Sequence, residues 1–313
     1  MPHSILVTRN LPSAVVAKLR EQGSVDLYAD GGMSADLLRQ RVADKDALVS
    51  VLTDRIDKSV IDAGARLKIV ANVAVGYNNI DVAYARSRGV VVTNTPDVLT
   101  ESVADFTWAM ILAITRRLAE GERLLRRGEW KGWALDFMLG TELKGKQLGL
   151  VGFGRIARAV AARAPAFGMR VVYSDVVSVA GPFEQMTLDR LLTTSDVVSL
   201  HVPLLPSTRH LIDKQTLRRM KRSAYLVNTS RGPVVDEAAL AWALHERLIA
   251  GAALDVFENE PAVHPDLLPL ENVLLVPHLA SATTETRTAM ANLAIDNVIA
   301  VLAGRAPLTP VLE

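Results

Sequence analysis

Leu148-Gly149-Leu150-Val151-Gly152-Phe153-Gly154-Arg155-Ile156-Ala157 is the stretch from which the fold of this chain can be read. A short strand-like run enters a glycine-punctuated turn, and a helical pattern through Ala166 comes after it. In the resulting G-x-G-x-x-A spacing, Gly152 permits a tight turn and Gly154 lets a pyrophosphate approach the backbone. The small Ala157 lets helix and strand pack closely. The amides of Arg155 and Ile156 open the helix and would face the phosphates. Such a turn alone is common; an acidic residue at the right distance beyond it makes the pattern specific. Asp175 stands 23 residues after Gly152, at the end of the strand-like run Arg170–Ser174. A carboxylate there accepts ribose hydroxyls and repels a 2′-phosphate. Val176, Val177 and Ser178 supply no arginine to receive that phosphate. NAD is therefore expected over NADP, with a solvated turn aspartate as the competing reading.

Outward from this turn, short β-branched runs alternate with helical patterns in both directions. Upstream, strands are expected at Ile5–Thr8, Val25–Tyr28, Ala47–Leu52, Ile69–Asn72 and Val90–Thr93. Helices are expected at Ala14–Glu21, Ser34–Ala43, Lys58–Ala63 and Val82–Ser87. Downstream, strands are expected near Val197–Leu200, Tyr225–Asn228, Gly251–Leu254 and Val273–Val276. Between the two series lies one long helical stretch, Glu101–Arg127, with Thr100 as N-cap and Gly128 as its stop. A last helix covers Thr283–Ala303. This rhythm predicts an α/β protein of two Rossmann- or flavodoxin-like doubly wound parallel-sheet domains with a cleft between them. Residues 1–99 with 284–313 form the expected substrate domain, and 100–283 the expected nucleotide domain.

Composition fits a globular chain and narrows its partners. The 313 residues are half apolar and carry a formal net charge of +1, so no broad field favours nucleic acid or an anionic membrane. No cysteine is present, which excludes disulfides, thiolate metal sites and cysteine nucleophiles. The apolar run Ile5–Val7 is too short for a signal peptide, and no segment approaches the ~20 apolar residues of a membrane span. A soluble cytoplasmic protein with no metal is expected.

Three residues sit where strands end and chemistry is placed in such folds. Arg231 follows the run Ala224–Val227 within Asn228-Thr229-Ser230-Arg231-Gly232. Glu260 closes Leu254-Asp255-Val256-Phe257-Glu258-Asn259-Glu260. His278 follows Val273–Val276. A guanidinium grips a carboxylate or polarises a carbonyl, and an imidazole supplies a proton near neutral pH. A carboxylate bonded to that imidazole fixes its tautomer and favours the imidazolium. Each residue alone reads more simply as surface or structure. His201, His210, His245 and His264 keep the structural reading, His201 least firmly because it also follows a strand.

Over essentially its whole length the chain resembles the D-isomer-specific 2-hydroxyacid dehydrogenase family, and most closely its glyoxylate/hydroxypyruvate reductase branch. The resemblance rests on Val73–Asp81, Asn94–Thr100, Gly152–Ala157, Val227–Val235, Ala253–Pro261 and Pro277–Thr283. It implies NAD(P)H-dependent reduction of small 2-keto acids to D-2-hydroxy acids. Arg231, Glu260 and His278 match the family's substrate-binding arginine, supporting glutamate and acid/base histidine. The pattern further implies that the Val75 and Gly76 amides hold the substrate carboxylate, with Leu52 lining the pocket. Thr100, Val202, Pro203, Thr229 and Asp255 match cofactor-contacting positions, Asp255 at the nicotinamide carboxamide. The branch often uses NADPH, so NADP stays possible. A homodimer is implied, with Phe106, Trp108 and Met110 on the long helix as its surface.

Three departures qualify the match. Ala157 replaces the commoner third glycine, Ala280 stands where glycine usually follows the histidine, and Phe137 falls where a tryptophan often reaches the partner subunit. Glu260 in place of glutamine argues against formate, Val75 in place of lysine against phosphite, and the absence of tyrosine from Asp97–Thr100 against D-lactate. Two alternatives stay open: a dehydrogenase for another 2-hydroxy acid, and an NAD(H)-sensing binding protein such as a transcriptional corepressor.

Overall fold

The structure, a computed structural model, describes residues 3–312; Met1, Pro2 and Glu313, the ends of the expected first domain, lie outside them. Two compact units form, one from the residues up to Leu99 with those from Thr283 onward, the other from Thr100–Ala282.

In the first unit, β1 (His3–Val7), α1 (Ser13–Arg20), β2 (Gly23–Leu27), α2 (Ala35–Val42) and β3 (Ala47–Ser50) alternate, followed by α3 (Lys58–Ala63), β4 (Ile69–Asn72), α4 (Val82–Ser87) and β5 (Val91–Thr93). The strands pair in parallel in the order β2-β1-β3-β4-β5. β3 and β4 are buried at every residue, as strands covered by helices on both faces must be. Side chains cap the helices: Ser34 accepts the Leu37 N–H, and Asp57 accepts those of Ser59 and Val60. α11 (Thr284–Leu302) packs on β3, β4 and α1 of this unit.

The second unit opens with α5 (Thr100–Thr115) and α6 (Leu118–Arg126). After them come β6 (Gln147–Val151), α7 (Arg155–Arg163), β7 (Arg170–Ser174), β8 (Glu184–Gln185), α8 (Leu188–Thr194), β9 (Val197–Leu200) and α9 (Lys214–Arg219). β10 (Tyr225–Asn228), α10 (Glu237–His245), β11 (Gly251–Leu254) and β12 (Val273–Leu275) complete it. Its seven strands run in the order β12-β11-β10-β9-β6-β7-β8, every pair parallel. The sheet order reverses beside β6, so the turn at Gly152 stands at the topological switch point.

The region 100–127 departs from expectation. Thr100 is the first helical residue rather than the cap, and the helix breaks after Thr115. Arg117 takes a left-handed backbone (φ 54°), and its guanidinium forks onto Glu120 at 2.9 and 2.6 Å. The Thr115 carbonyl, freed from the helix, accepts the Thr141 N–H at 2.8 Å. A tertiary contact thus terminates α5, and no local residue signals it. α5 is also not the expected surface. Trp108 and Met110 are buried in the unit's own core, where Trp108 stacks on Phe167 and donates its Nε1–H to the Val160 carbonyl; Phe106 packs against the same core.

Candidate functional site

Six of the seven strands of the second sheet deliver candidate residues at their ends, to the same edge. Gly152 and Gly154 follow β6, Asp175 follows β7, and Val202 and Pro203 come just beyond β9. Thr229 and Arg231 follow β10, Asp255 follows β11, and His278 follows β12.

Gly152 has φ 85°, and a Cβ there would fall 2.8 Å from the His201 carbonyl. No other residue fits this turn. At Gly154, the N-cap of α7, a Cβ would meet no atom of the protein beyond its chain neighbours within 4 Å. Nothing in the protein demands glycine at that place, which leaves close approach of a ligand as the reason for it. Asp175 closes the turn: Oδ2 accepts the Phe153 N–H at 2.6 Å and Oδ1 the Val177 N–H at 3.0 Å. Ala157 is fully buried in the helix–strand contact. Together the open Gly154, the first turn of α7 with Arg155 and Ile156, and the Asp175 carboxylate fit a dinucleotide.

The loop after β10 is shaped by Asn228, a buried side chain. Its Oδ1 accepts the Ser230 N–H (3.0 Å) and O–H (2.8 Å), while its Nδ2 donates to the Arg231 carbonyl (3.0 Å). Gly232 presses against the next loop, since a Cβ on it would lie 1.9 Å from the Phe257 carbonyl carbon. That close approach brings the Arg231 loop against the one carrying Glu260. Burial lowers the Arg231 pKa, opposed by the nearby Glu260 charge. Thr229 is tied to α5 by a 3.0 Å hydroxyl contact with Thr107.

Asp255 is fully buried and organises the loop after β12. Its oxygens accept the Leu279 N–H at 2.5 Å and the Ala280 N–H at 3.0 Å, and its carbonyl accepts the His278 N–H at 2.9 Å. Burial pushes its carboxyl above the usual range, more than the two amides pull it down. With its backbone so held, His278 adopts φ 54°, an uncommon region for a side-chain-bearing residue. Its Nδ1 meets Glu260 Oε1 and Oε2 at 3.1 and 2.9 Å. The carboxylate can only accept, so Nδ1 carries the proton. Burial by itself would raise the Glu260 carboxyl. The His278 hydrogen bond and charge, the Phe257 N–H (3.1 Å) and the Arg231 charge outweigh it and hold the pKa below the usual value. Arg231, Glu260 and His278 are thus electrostatically joined, with the imidazole oriented by the carboxylate.

A family model for the D-isomer specific 2-hydroxyacid dehydrogenase NAD binding domain matches residues 108–280. The chain belongs to the D-isomer-specific 2-hydroxyacid dehydrogenase family. It is 50% identical to a glyoxylate reductase of Korarchaeum cryptofilum, over 98% of this chain and 95% of the relative. Among solved structures, a Thermus thermophilus protein shares 44% identity at a TM-score of 0.95, covering 99% of this chain and 100% of that one. An NADPH-dependent glyoxylate/hydroxypyruvate reductase of Sinorhizobium meliloti, in complex with NADP and malonate, shares 37% at a TM-score of 0.88, covering 99% and 97%.

In the first unit of this dehydrogenase, Leu52 follows β3 while Val75 and Gly76 follow the adjacent β4. Here the sequence reading missed the supports. Asn94 donates to the Val75 carbonyl (2.8 Å) and buried Asn72 to the Gly76 carbonyl (3.0 Å). Asn79 donates to the carbonyls of Val51 (3.2 Å) and Asp54 (2.9 Å), on either side of Leu52. Asparagines bonded to loop carbonyls leave no periodic mark. The only hint was that Asn79 and Asn94 lie within stretches that carry the family resemblance. Val202 is half-buried against the core and Pro203 is exposed. Thr100 opens α5. Among the described residues no helix is long and apolar enough to cross a membrane.

Proposed function

We propose that this dehydrogenase reduces glyoxylate, and hydroxypyruvate as its other small 2-keto acid, to the D-2-hydroxy acid. The observation that carries the mechanism is the His278–Glu260 pair at 2.9 and 3.1 Å, with Arg231 in its field. Gly152, Gly154 and Asp175 would hold a dinucleotide by its pyrophosphate and ribose, and its reduced nicotinamide would supply the hydride. His278 holds its Nδ1 proton against Glu260, which leaves Nε2 to deliver the proton to the developing alkoxide. Glu260 stabilises the imidazolium that makes this delivery possible. Arg231 grips the carboxylate and polarises the carbonyl through a charge that partial burial strengthens. By the family pattern the Val75 and Gly76 amides seat the carboxylate beside Leu52, and Thr100, Val202, Pro203 and Thr229 line the cofactor, while fully buried Asp255 acts on it through the His278 loop.

Support for the substrate comes from the glyoxylate reductase relative at 50% identity. Asp175 favours NADH, whereas the Sinorhizobium meliloti reductase is NADPH-dependent. Initial rates of NADH and NADPH oxidation with glyoxylate, hydroxypyruvate, pyruvate and 2-ketoglutarate test the reading. Fast turnover of glyoxylate and hydroxypyruvate with NADH is expected. Tight NADH binding without turnover of any of them would transfer the chain to the binding-protein alternative or to a dehydrogenase for another 2-hydroxy acid.

The working form is a cytoplasmic homodimer, in this reading through the segment after α6. Trp130, Trp133, Leu135 and Leu139 there are 54, 81, 82 and 66% exposed, more apolar surface than a monomer normally leaves in one short segment. Light scattering should give twice the 33.9 kDa chain mass; a monomer at working concentration rejects it.

A further inference from the structure

We propose that Glu237 is a positioning residue for Glu260: it clamps both ends of the loop carrying that carboxylate and so sets it against His278. This rests on the proposed function, in which Glu260 supports proton delivery by His278. Glu237 is the first residue of α10 and only 3% exposed. Its Oε1 accepts the Glu258 N–H at 2.6 Å and its Oε2 the His264 N–H at 3.1 Å. Those two amides lie two residues before and four residues after Glu260, so one buried side chain spans the segment. The contact is reciprocal, since Glu258 Oε2 accepts the Glu237 N–H at 3.4 Å. An outer brace completes it, with His210 Nε2 at 2.5 Å from Glu258 Oε1.

Helix capping does not account for Glu237. That task belongs to Asp236, whose Oδ1 accepts the Ala239 N–H at 2.9 Å. Burying a second carboxylate beside Glu258 is unfavourable unless its oxygens are bonded. Burial pushes the Glu237 carboxyl upward while the Glu258 and His264 amides pull it back. An apolar residue would fill the space without this conflict, but it would leave the loop's two N–H groups unheld. The charge is retained where the loop geometry needs it.

The test is the pH dependence of kcat for glyoxylate reduction in the parent, Glu260→Gln, Glu237→Gln and the double variant, with the NADH Kd alongside. Glutamine keeps the shape, but its amide nitrogen must face one of the two N–H donors. For Glu237→Gln, kcat should fall tenfold to a hundredfold, as expected for about 1 Å of misplacement. The limb on which reduction is lost as pH rises should move to lower pH, in the same direction as for Glu260→Gln. NADH Kd should stay unchanged, and the double variant should be no worse than Glu260→Gln. An unmoved limb in Glu237→Gln, or losses that multiply in the double variant, overturns the inference. If Glu260→Gln itself leaves the profile unmoved, the reading of Glu260 falls and the inference falls with it. Should Glu237→Gln not fold, His210→Asn tests the outer brace. His210 sits at φ 49°, a conformation asparagine tolerates. A smaller shift of the same limb is expected, absent in the Glu260→Gln background; no shift overturns the inference.

Discussion

His278 and Glu260 owe their placement to hydrogen bonds with backbone amides. His278 faces Glu260 because Asp255 holds the Leu279 and Ala280 amides, and Glu260 is held in turn by the Phe257 amide. Replacing His278 by alanine removes the proton donor while leaving that scaffold. kcat should fall about 10²-fold or more with NADH affinity retained, and near-normal kcat in steady-state assays would remove His278 from the mechanism. Asp175 works differently, since it both closes the turn through Phe153 and repels a 2′-phosphate. Asp175→Ala should weaken NADH use and raise the NADPH/NADH ratio of kcat/KM; an unchanged ratio sinks its role in cofactor choice. The identities of Arg231, Glu260 and His278 were legible in sequence because each follows a strand. Their mutual distances were not, because the approach of Gly232 to Phe257 is a contact between loops 25 residues apart.

At the scale of elements, local signals placed most strands and several helices. Lys58–Ala63, Ile69–Asn72, Val82–Ser87, Val197–Leu200, Tyr225–Asn228 and Gly251–Leu254 form where their runs predict. The stretch 100–127 shows where such signals end. Its apolar spacing is continuous, yet Thr141 captures the Thr115 carbonyl and divides it into α5 and α6. Spacing identifies an apolar face but not what covers it. The face bearing Trp108 is covered by α7 and the segment containing Phe167. Trp108→Ala should therefore cost about 3–5 kcal/mol of unfolding free energy by urea titration. The oligomeric state by light scattering should not change; dissociation without loss of stability would restore α5 as the subunit surface.

Across the whole molecule, one half-buried histidine couples stability to pH. Desolvation lowers the His201 pKa from 6.5 to about 4, and its Nε2 lies 2.9 Å from Ser199 Oγ. In the unfolded chain the ring takes up a proton near 6.5 that the folded protein refuses until about 4. Stability is then full above 6.5 and declines as pH falls toward 4, by up to roughly 3 kcal/mol. Asp46, Asp57, Asp196 and Asp213, all lowered from 3.8, lose their contributions only at still lower pH. Glu237 and Asp255, raised by burial, act in the opposite sense at the low end of the window. His201→Asn isolates the effect: its urea midpoint should vary less than the parent's between pH 6.5 and 4, and equal slopes would refute the assignment.

The alternating α/β architecture, the nucleotide turn and the residue types of the reacting trio were all written in the linear chain. Strand periodicity, glycine at a left-handed turn and the proton chemistry of imidazole are local properties, which is why a linear reading exposes them. Only folding settled where α5 ends, which face of it is covered, and how Asn72, Asn79, Asp255 and Glu237 hold the loops. Those outcomes depend on hydrogen bonds and close approaches between segments distant in the chain. Their strength is set by burial, which no single residue carries in its identity.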